Sequence, residues 1–95
     1  MGKKSIISNE KECFICGTRL KLHKHHCIHG SSNRKNSEEF GLWIYLCDFH
    51  HNASIEAVHF NHSFDVMVKK YAQMVFENQT GTREEFRQIF GKSFL

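Results

Sequence analysis

Two short stretches decide the fold of this chain: Cys13-Phe14-Ile15-Cys16 near its start and Cys47-Asp48-Phe49-His50 about thirty residues later. Each stretch has two soft metal-ligating side chains separated by two residues, and a tight turn of this length can direct both at one ion. Four sulfur and nitrogen donors complete the tetrahedral shell that zinc prefers. Buried free cysteines are the alternative interpretation. We predict a structural zinc ion bound by four residues: Cys13, Cys16, Cys47 and His50.

The length and composition of the chain predict one small folded domain. It has 95 residues, of which 40% are hydrophobic, and nine are Phe, which argues against disorder. A core of this size is limited, so a bound metal would add to its stability. The longest apolar run, Leu42–Cys47, is too short to span a membrane. The remaining cysteine, Cys27, is interpreted as a small packed residue rather than a ligand.

The N-terminal residues 1–12 are predicted to be a flexible basic lead-in to a single domain at 13–95, with a core at 13–62 and C-terminal helices at 63–95. The lead-in lacks the apolar segment of a signal peptide. We therefore expect a cytoplasmic protein, where a reducing environment favours metal-bound or free thiols over disulfides.

Sequence periodicity predicts an α+β fold: a β-hairpin and a short helix, followed by two C-terminal helices. The first strand is predicted over Leu20–Ile28, because Leu20 and Leu22 alternate with Lys21 and other basic residues. The second is predicted over Gly41–Leu46, which is rich in aromatic and branched residues. The polar run Gly30–Ser37 between them is predicted to be a loop. Asp48 can cap a short helix that carries His50.

The last third of the chain is predicted to be helical. Ser63 is a plausible cap for the first helix, and Thr82–Glu85 fits a capping box for the second, which would end at Gly91. Apolar residues recur at helical spacing in the first of these helices, so we expect them to pack in the core. The four largest are Phe64, Met67, Tyr71 and Phe76.

Histidines are concentrated in one part of the chain. Six of the eight lie between His23 and His51, the same stretch that contains Cys27 and Cys47. Solvated surface histidines have no reason to gather in this way, whereas histidines of a metal site do. This clustering indicates a metal site.

The spacing of these residues resembles that of the HNH endonucleases of the ββα-metal superfamily, over residues 13–55. In that family a Cys-x-x-Cys turn leads to a strand that ends in two catalytic residues, and a second turn starts a helix. The matching residues are Cys13, Cys16, His25, His26, Cys47, His50 and His51. Three short runs also resemble small phage-type HNH proteins: Gly30–Arg34, Val58–Asn61 and Phe90–Lys92.

The resemblance implies that His25 and His51 bind a catalytic divalent metal ion and that His26 is the general base. A neutral imidazole can take a proton from water near physiological pH. A divalent cation, here Mg²⁺, Mn²⁺, Ni²⁺ or Zn²⁺, offsets charge that develops on the phosphate. Because adjacent residues of a strand point to opposite faces, the strand must bend at its end if His25 and His26 are to share a site.

One family residue is missing. The family's asparagine usually stands five residues before the second cysteine turn, where this chain has Leu42. Since that asparagine ties loop backbone together, another residue could replace it, and its absence also leaves open a weakened activity. The candidates for replacement are Asn33, Asn36 and Asn52.

Further residues are predicted to support the site. His59 is a candidate third metal ligand, with a structural hydrogen bond as the alternative, and Asn52 could support the metal ligands through a hydrogen bond. His23 and His29 are interpreted as solvated loop residues. A basic track is expected to contact nucleic-acid phosphates, and its residues are Lys24, Asn33, Arg34 and Lys35.

The leading hypothesis is therefore a metal-dependent endonuclease acting on DNA, presumed double-stranded, by nicking or double-strand cleavage. Its partners would be DNA and a second copy or another protein, without a membrane, and phage-encoded action in a host cytoplasm fits the resemblance. A catalytically silent zinc module that binds nucleic acid or protein is the second hypothesis. In a third, some of the histidines belong to the structural metal site.

Overall fold

The computed structural model describes residues 4–8, 10–30, 32–53 and 61–95, without the side chains of residues 52 and 53. The predicted α+β class and β-hairpin are confirmed. The elements are two strands and three α-helices, with one π-helical turn after the second strand. In chain order they are β1 (Leu22–His26), α1 (Asn33–Phe40), β2 (Trp43–Cys47), the π turn (Phe49–Ala53), α2 (His62–Gln79) and α3 (Arg83–Phe90).

The two strands form an antiparallel hairpin in which Leu22 pairs with Cys47 and His26 with Trp43. β1 is shorter than the predicted Leu20–Ile28, because Lys21 has a φ of 51° that interrupts the extended backbone. β2 begins and ends later than the predicted Gly41–Leu46. The pairing places the start of β1 beside the second cysteine turn. The two catalytic candidates of β1, His25 and His26, lie at the opposite end of the strand.

The region between the strands differs from the prediction, since much of the polar run Gly30–Ser37 belongs to helix α1. The carbonyl oxygens of Gly30 and Ser32 accept hydrogen bonds of 3.2 Å from Arg34 and Asn36, which starts the helix. Hydrophobic periodicity could not reveal it, because Ser37 is its only buried residue. A helix therefore lies where the sequence predicted a loop.

Gly41 ends α1 and also meets the N-terminal segment. Its φ of 73° lies in the left-handed region, and its carbonyl oxygen accepts a 2.9 Å hydrogen bond from the Ile6 nitrogen. A Cβ at this position would lie 2.5 Å from the carbonyl oxygen of Lys4. Part of the predicted N-terminal lead-in therefore contacts the hairpin domain.

The apolar faces of helices α2 and α3 belong to the same hydrophobic core as the buried residues of β2. The buried stripe of α2 is Val68, Ala72 and Phe76, and α3 contributes Phe86 and Phe90. The predicted Ser63 cap is wrong by two residues, because the Asn61 side chain accepts from the Phe64 nitrogen at 3.0 Å.

Two residues predicted in the core of α2 are exposed instead. Met67 is 47% exposed and Tyr71 is 43% exposed. The reason is that the buried stripe is narrow, recurring every four residues from Val68, so neighbouring apolar positions face outward. Tyr71 still covers the first cysteine turn, with its ring centre 5.5 Å from that of Phe14.

The capping box of α3 is confirmed: Thr82 accepts from the Glu85 nitrogen, and Glu85 accepts from the Thr82 nitrogen. Gly91 has the expected left-handed backbone. The amides of Asn33 and Asn36 donate to the carbonyl oxygens of Phe90 and Ile89 and join α1 to this helix. Within the described part of the chain, no helix has the length and apolar character needed to cross a membrane.

Candidate metal centre and histidine cavity

The four predicted zinc ligands come together in one group, here called the cysteine cluster: Cys13, Cys16, Cys47 and His50. Their ligand atoms all lie within 4.8 Å of one another. The Sγ atoms of Cys16 and Cys47 are 3.8 Å apart. The Nδ1 atom of His50 lies 3.4 Å from the Cys47 Sγ and 3.7 Å from the Cys13 Sγ.

These distances fit a tetrahedral metal ion such as zinc. With zinc–sulfur bonds near 2.3 Å and zinc–nitrogen bonds near 2.0 Å, the edges of a tetrahedron are about 3.8 Å between two sulfurs and about 3.6 Å between sulfur and nitrogen. The geometry also identifies Nδ1 as the His50 atom directed at the sulfurs. The donor set and its spacing therefore suit a structural metal site.

The first cysteine turn is shaped by its backbone. The Gly17 nitrogen donates to the Cys13 carbonyl oxygen at 2.9 Å, and Gly17 has a φ of 77° that favours glycine. The Phe14 nitrogen donates to the Tyr45 carbonyl oxygen at 2.8 Å, which docks the turn on β2. Burial alone would raise the pKa of Cys13, but backbone N–H groups, foremost that of Cys16, lower it to about 6. The turn therefore favours the thiolate that a metal requires.

The fourth cysteine lies apart from this cluster. Cys27 is fully buried, and burial raises the pKa of its thiol. Among the described residues, the cysteine cluster is the one group of three or more potential ligands with atoms so closely spaced, and it does not include Cys27. The burial of Cys27 in the core agrees with the interpretation of this cysteine as a small packed residue.

A second site, here called the histidine cavity, lies near the end of β1 that is distant from the second cysteine turn. Its volume is about 280 Å³. Four imidazoles and two cationic side chains line it: Lys24, His25, His26, His29, Arg34 and His51. The three residues predicted to be catalytic are thus brought together.

His25 is the most deeply placed of the three, with 3% of its surface exposed. Its ring centre lies 5.6 Å from that of His51, edge to face, and 6.1 Å from that of His29. His25 and His26 both line the cavity although they are adjacent on β1. His51 reaches the cavity from the π turn, and its other face stacks on His23 at 5.1 Å.

His26 is held by a carboxylate from α1. The Nε2 atom of His26 lies 2.8 Å from Oε1 of Glu38, and the same carboxylate accepts from the Lys24 Nζ at 3.0 Å. The hydrogen bond with His26, helped by Lys24, holds the pKa of Glu38 below its usual value despite its burial. The carboxylate is thus ionised at neutral pH, so His26 must donate through Nε2, which leaves the lone pair of a neutral ring on Nδ1.

His29 is held in a similar way by α2. Its Nε2 lies 3.0 Å from Oδ1 of Asp65, whose other oxygen pairs with the Lys69 Nζ at 2.8 Å. Burial opposes ionisation of Asp65, but the hydrogen bonds from Lys69 and His29 outweigh it and lower the pKa of the carboxyl. His29 is therefore a loop residue as predicted, with 37% of its side chain exposed, and its ring is hydrogen-bonded to Asp65 in the cavity wall.

The predicted nucleic-acid contacts separate into two groups. Lys24 and Arg34 line the histidine cavity, and Lys24 also lies over the Trp43 ring at 4.2 Å. Asn33 uses its amide to join α1 to α3, and Lys35 is exposed on α1 outside the cavity lining. Of the supporting residues, Asn52 is described in its backbone alone and His59 lies outside the described residues.

The loop after β1 is tied by a serine rather than by an asparagine. The Ser37 hydroxyl donates to the Ile28 carbonyl oxygen at 2.7 Å and accepts from the Ile28 nitrogen at 3.3 Å. Asn33 and Asn36 reach α3 instead, and Leu42 is fully buried in the core. Among the described side chains, Ser37 therefore ties this loop, while Asn33 and Asn36 do not.

Sequence reasoning missed the carboxylates of Glu38 and Asp65. The role of Glu38 was missed because much of its helix was predicted to be a loop. The position of Asp65 could have indicated a buried ion pair, because Asp65 lies on the same helical stripe as the buried Val68, Ala72 and Phe76. A charged residue at such a position needs a partner.

Three comparisons were made with known proteins. No family model, no curated protein and no solved structure matches this chain. The resemblance to HNH endonucleases therefore rests on the spacing of its cysteines and histidines.

Proposed function

We propose that this chain is a metal-dependent endonuclease of the HNH type that hydrolyses phosphodiester bonds in DNA. The observation that carries the proposal is the histidine cavity, where His25, His26 and His51 converge beside Lys24 and Arg34. Neutral imidazoles supply a base and metal ligands, and the cationic side chains suit a phosphate. This combination is what hydrolysis of a phosphodiester by an activated water needs.

In this proposal the cysteine cluster binds structural zinc and builds a ββα-metal core. The zinc would join the first cysteine turn to the end of β2 and to the π turn, which carries both His50 and His51. One residue then serves the scaffold while its neighbour serves the cavity. A π turn is a common feature of functional sites because its wider backbone redirects side chains.

His26 is the proposed general base. With Nε2 donating to Glu38 at 2.8 Å, Nδ1 is the atom that accepts a proton from the attacking water. Glu38 stabilises the imidazolium that forms and keeps the ring orientation fixed. Lys24 shares the carboxylate, which keeps Glu38 ionised in the absence of substrate.

His25 and His51 are the proposed ligands of a catalytic divalent cation. When bound, that cation would offset the negative charge that develops on the scissile phosphate and on the departing oxygen. Arg34 lines the same cavity and is placed to contact a phosphate oxygen.

A plasmid-nicking assay tests the proposal. Supercoiled plasmid is incubated with the protein and with His26→Ala in the presence of Mg²⁺, Mn²⁺, Ni²⁺ or Zn²⁺. Loss of a general base predicts a fall in rate of about 100- to 10,000-fold, with zinc content and melting temperature retained. Equal rates for both proteins would contradict the assignment of the base and point to a contaminating nuclease.

A zinc module that binds DNA or protein without cutting is the second candidate. The observation in its favour is Leu42, fully buried where the family has asparagine. Such a module needs the cysteine cluster and has no use for a base aligned by Glu38. In the nicking assay it would bind plasmid and leave it supercoiled with every metal.

A further inference from the structure

His29 and Asp65 form a pair that the proposed function does not use. His29 lines the histidine cavity with His25 and His51. Asp65 belongs to α2, is not among the residues that carry the resemblance to HNH proteins, and is only 9% exposed. A carboxylate buried to this extent needs a reason, because ion pairs in such positions add little net stability.

The tautomer of His29 follows from its partners. Asp65 pairs with the Lys69 ammonium at 2.8 Å and, as an ion-paired carboxylate, can only accept hydrogen bonds. The His29 Nε2, 3.0 Å from Asp65 Oδ1, must therefore carry a proton. In the neutral ring the lone pair is then on Nδ1, which is the atom available to a ligand.

The spacing of the imidazoles is compatible with a shared ion. Two imidazoles bound to one ion at about 2.1 Å have ring centres roughly 5 to 6.5 Å apart. The ring centres of His51 and His29 lie 5.6 Å and 6.1 Å from that of His25. In the described part of the chain, only the cysteine cluster has three or more ligand atoms as closely spaced as 4.8 Å, so the rings would turn toward the ion on binding.

We propose that His29, oriented by Asp65, is a third protein ligand of the divalent cation held by His25 and His51. A carboxylate behind a metal-binding histidine is the usual arrangement, since it fixes the ring and raises its basicity. Three imidazoles suit Zn²⁺, Co²⁺ or Ni²⁺ and leave a coordination position for a phosphate oxygen or water. This inference rests on the proposed function for the location of the ion and adds a ligand and the helix that supports it.

A cobalt titration of the zinc-loaded protein tests this ligand set without measuring activity. Co²⁺ at the histidines gives visible bands of nitrogen and oxygen ligation, whereas Co²⁺ that displaces zinc from the cysteine cluster adds intense thiolate charge-transfer absorption. The variants are His29→Gln, whose amide can still donate to Asp65 but has no imidazole, and Asp65→Asn. His62→Ala, which removes an exposed imidazole of α2 outside the cavity lining, is the matched control.

We expect cobalt affinity to fall by about 10- to 100-fold in Asp65→Asn, and at least as much in His29→Gln, with His62→Ala unchanged. Wild-type affinity in His29→Gln, with loss of cobalt binding in His25→Ala, would overturn the role of His29 and leave the proposed nuclease site intact. Absence of any cobalt site at the histidines in the wild-type protein would overturn both proposals. Zinc content measured on each sample shows that the fold is retained.

Discussion

The cysteine cluster and the histidine cavity lie in the same chain but are built in different ways. In the cluster, four ligand atoms are already spaced as a tetrahedral ion requires, with two sulfurs 3.8 Å apart. In the cavity, imidazoles surround about 280 Å³ of open space and are held from behind by Glu38 and Asp65. Closed metal sites stabilise folds, and open ones leave room for a reacting group.

Because the two regions are built differently, we expect them to respond differently to mutation. The cluster joins segments that are distant in sequence, so its loss should affect the whole fold. The cavity depends on individual rings and their partners, so its loss should affect chemistry first.

The largest effect is expected from Cys13→Ala. Zinc binding supplies about 10–16 kcal/mol in zinc-finger peptides, so removing a ligand should abolish stoichiometric zinc and cooperative thermal unfolding. Cys27→Ala is the matched control, because it removes a buried cysteine outside the cluster and should keep one zinc per chain. An unchanged melting curve in Cys13→Ala would contradict the claim that zinc stabilises the fold.

Acidification should release the zinc reversibly. Folding lowers the pKa of Cys13 from 9.0 to about 6, so the stability that the thiolate contributes is complete above about pH 9 and is lost as pH falls through 6. We expect zinc to remain bound at neutral pH and to be released to a chromogenic chelator in more acidic buffers. Release that is already complete in mildly alkaline buffer would contradict this.

His51→Ala should strongly reduce cutting while leaving the fold intact. It removes a proposed metal ligand from the cavity but not His50, the neighbouring residue of the cluster. Residual cutting should require a higher concentration of divalent metal, measured as the half-activating concentration in the nicking assay. If His51→Ala loses zinc in proportion to activity, the two regions are not separable at the π turn.

Glu38→Gln should have a smaller effect on the same reaction. The ring of His26 loses the charge that orients it, and supporting residues of this kind typically cost about 10- to 100-fold. The loss should appear in kcat rather than in KM, because Glu38 does not touch the substrate. Glu39→Gln, a change at the exposed neighbouring residue of α1, is the control and should cut at the wild-type rate.

The smallest effect is expected from Thr82→Ala, which removes the capping box of α3 and touches neither region. Loss of such a cap costs about 1 kcal/mol, or roughly 4–8 °C in melting temperature for a domain of this size. Nicking and zinc content should be unchanged. A loss of nicking here would mean that modest destabilisation alone explains the effects attributed to the cavity.

The sequence predicted those parts of the molecule in which short spacings determine geometry. Two cysteine turns suffice to predict the ligands of the cluster, and the capping box at Thr82 and the α+β order followed from local rules. The helix α1 could not be predicted, because it is polar and buries only Ser37. Glu38 was missed for the same reason, because it belongs to this helix. The contact of Asp65 with His29 joins residues 36 positions apart, and no local sequence pattern encodes such a contact.

The most direct test measures cutting and zinc on the same sample of a triple variant, His25→Ala/His26→Ala/His51→Ala. The account predicts one zinc per chain, a melting transition close to that of the wild-type protein, and plasmid left supercoiled under conditions in which the wild-type protein nicks it. Nicking at the wild-type rate by the zinc-loaded triple variant would contradict the central claim that the histidine cavity cleaves the phosphodiester.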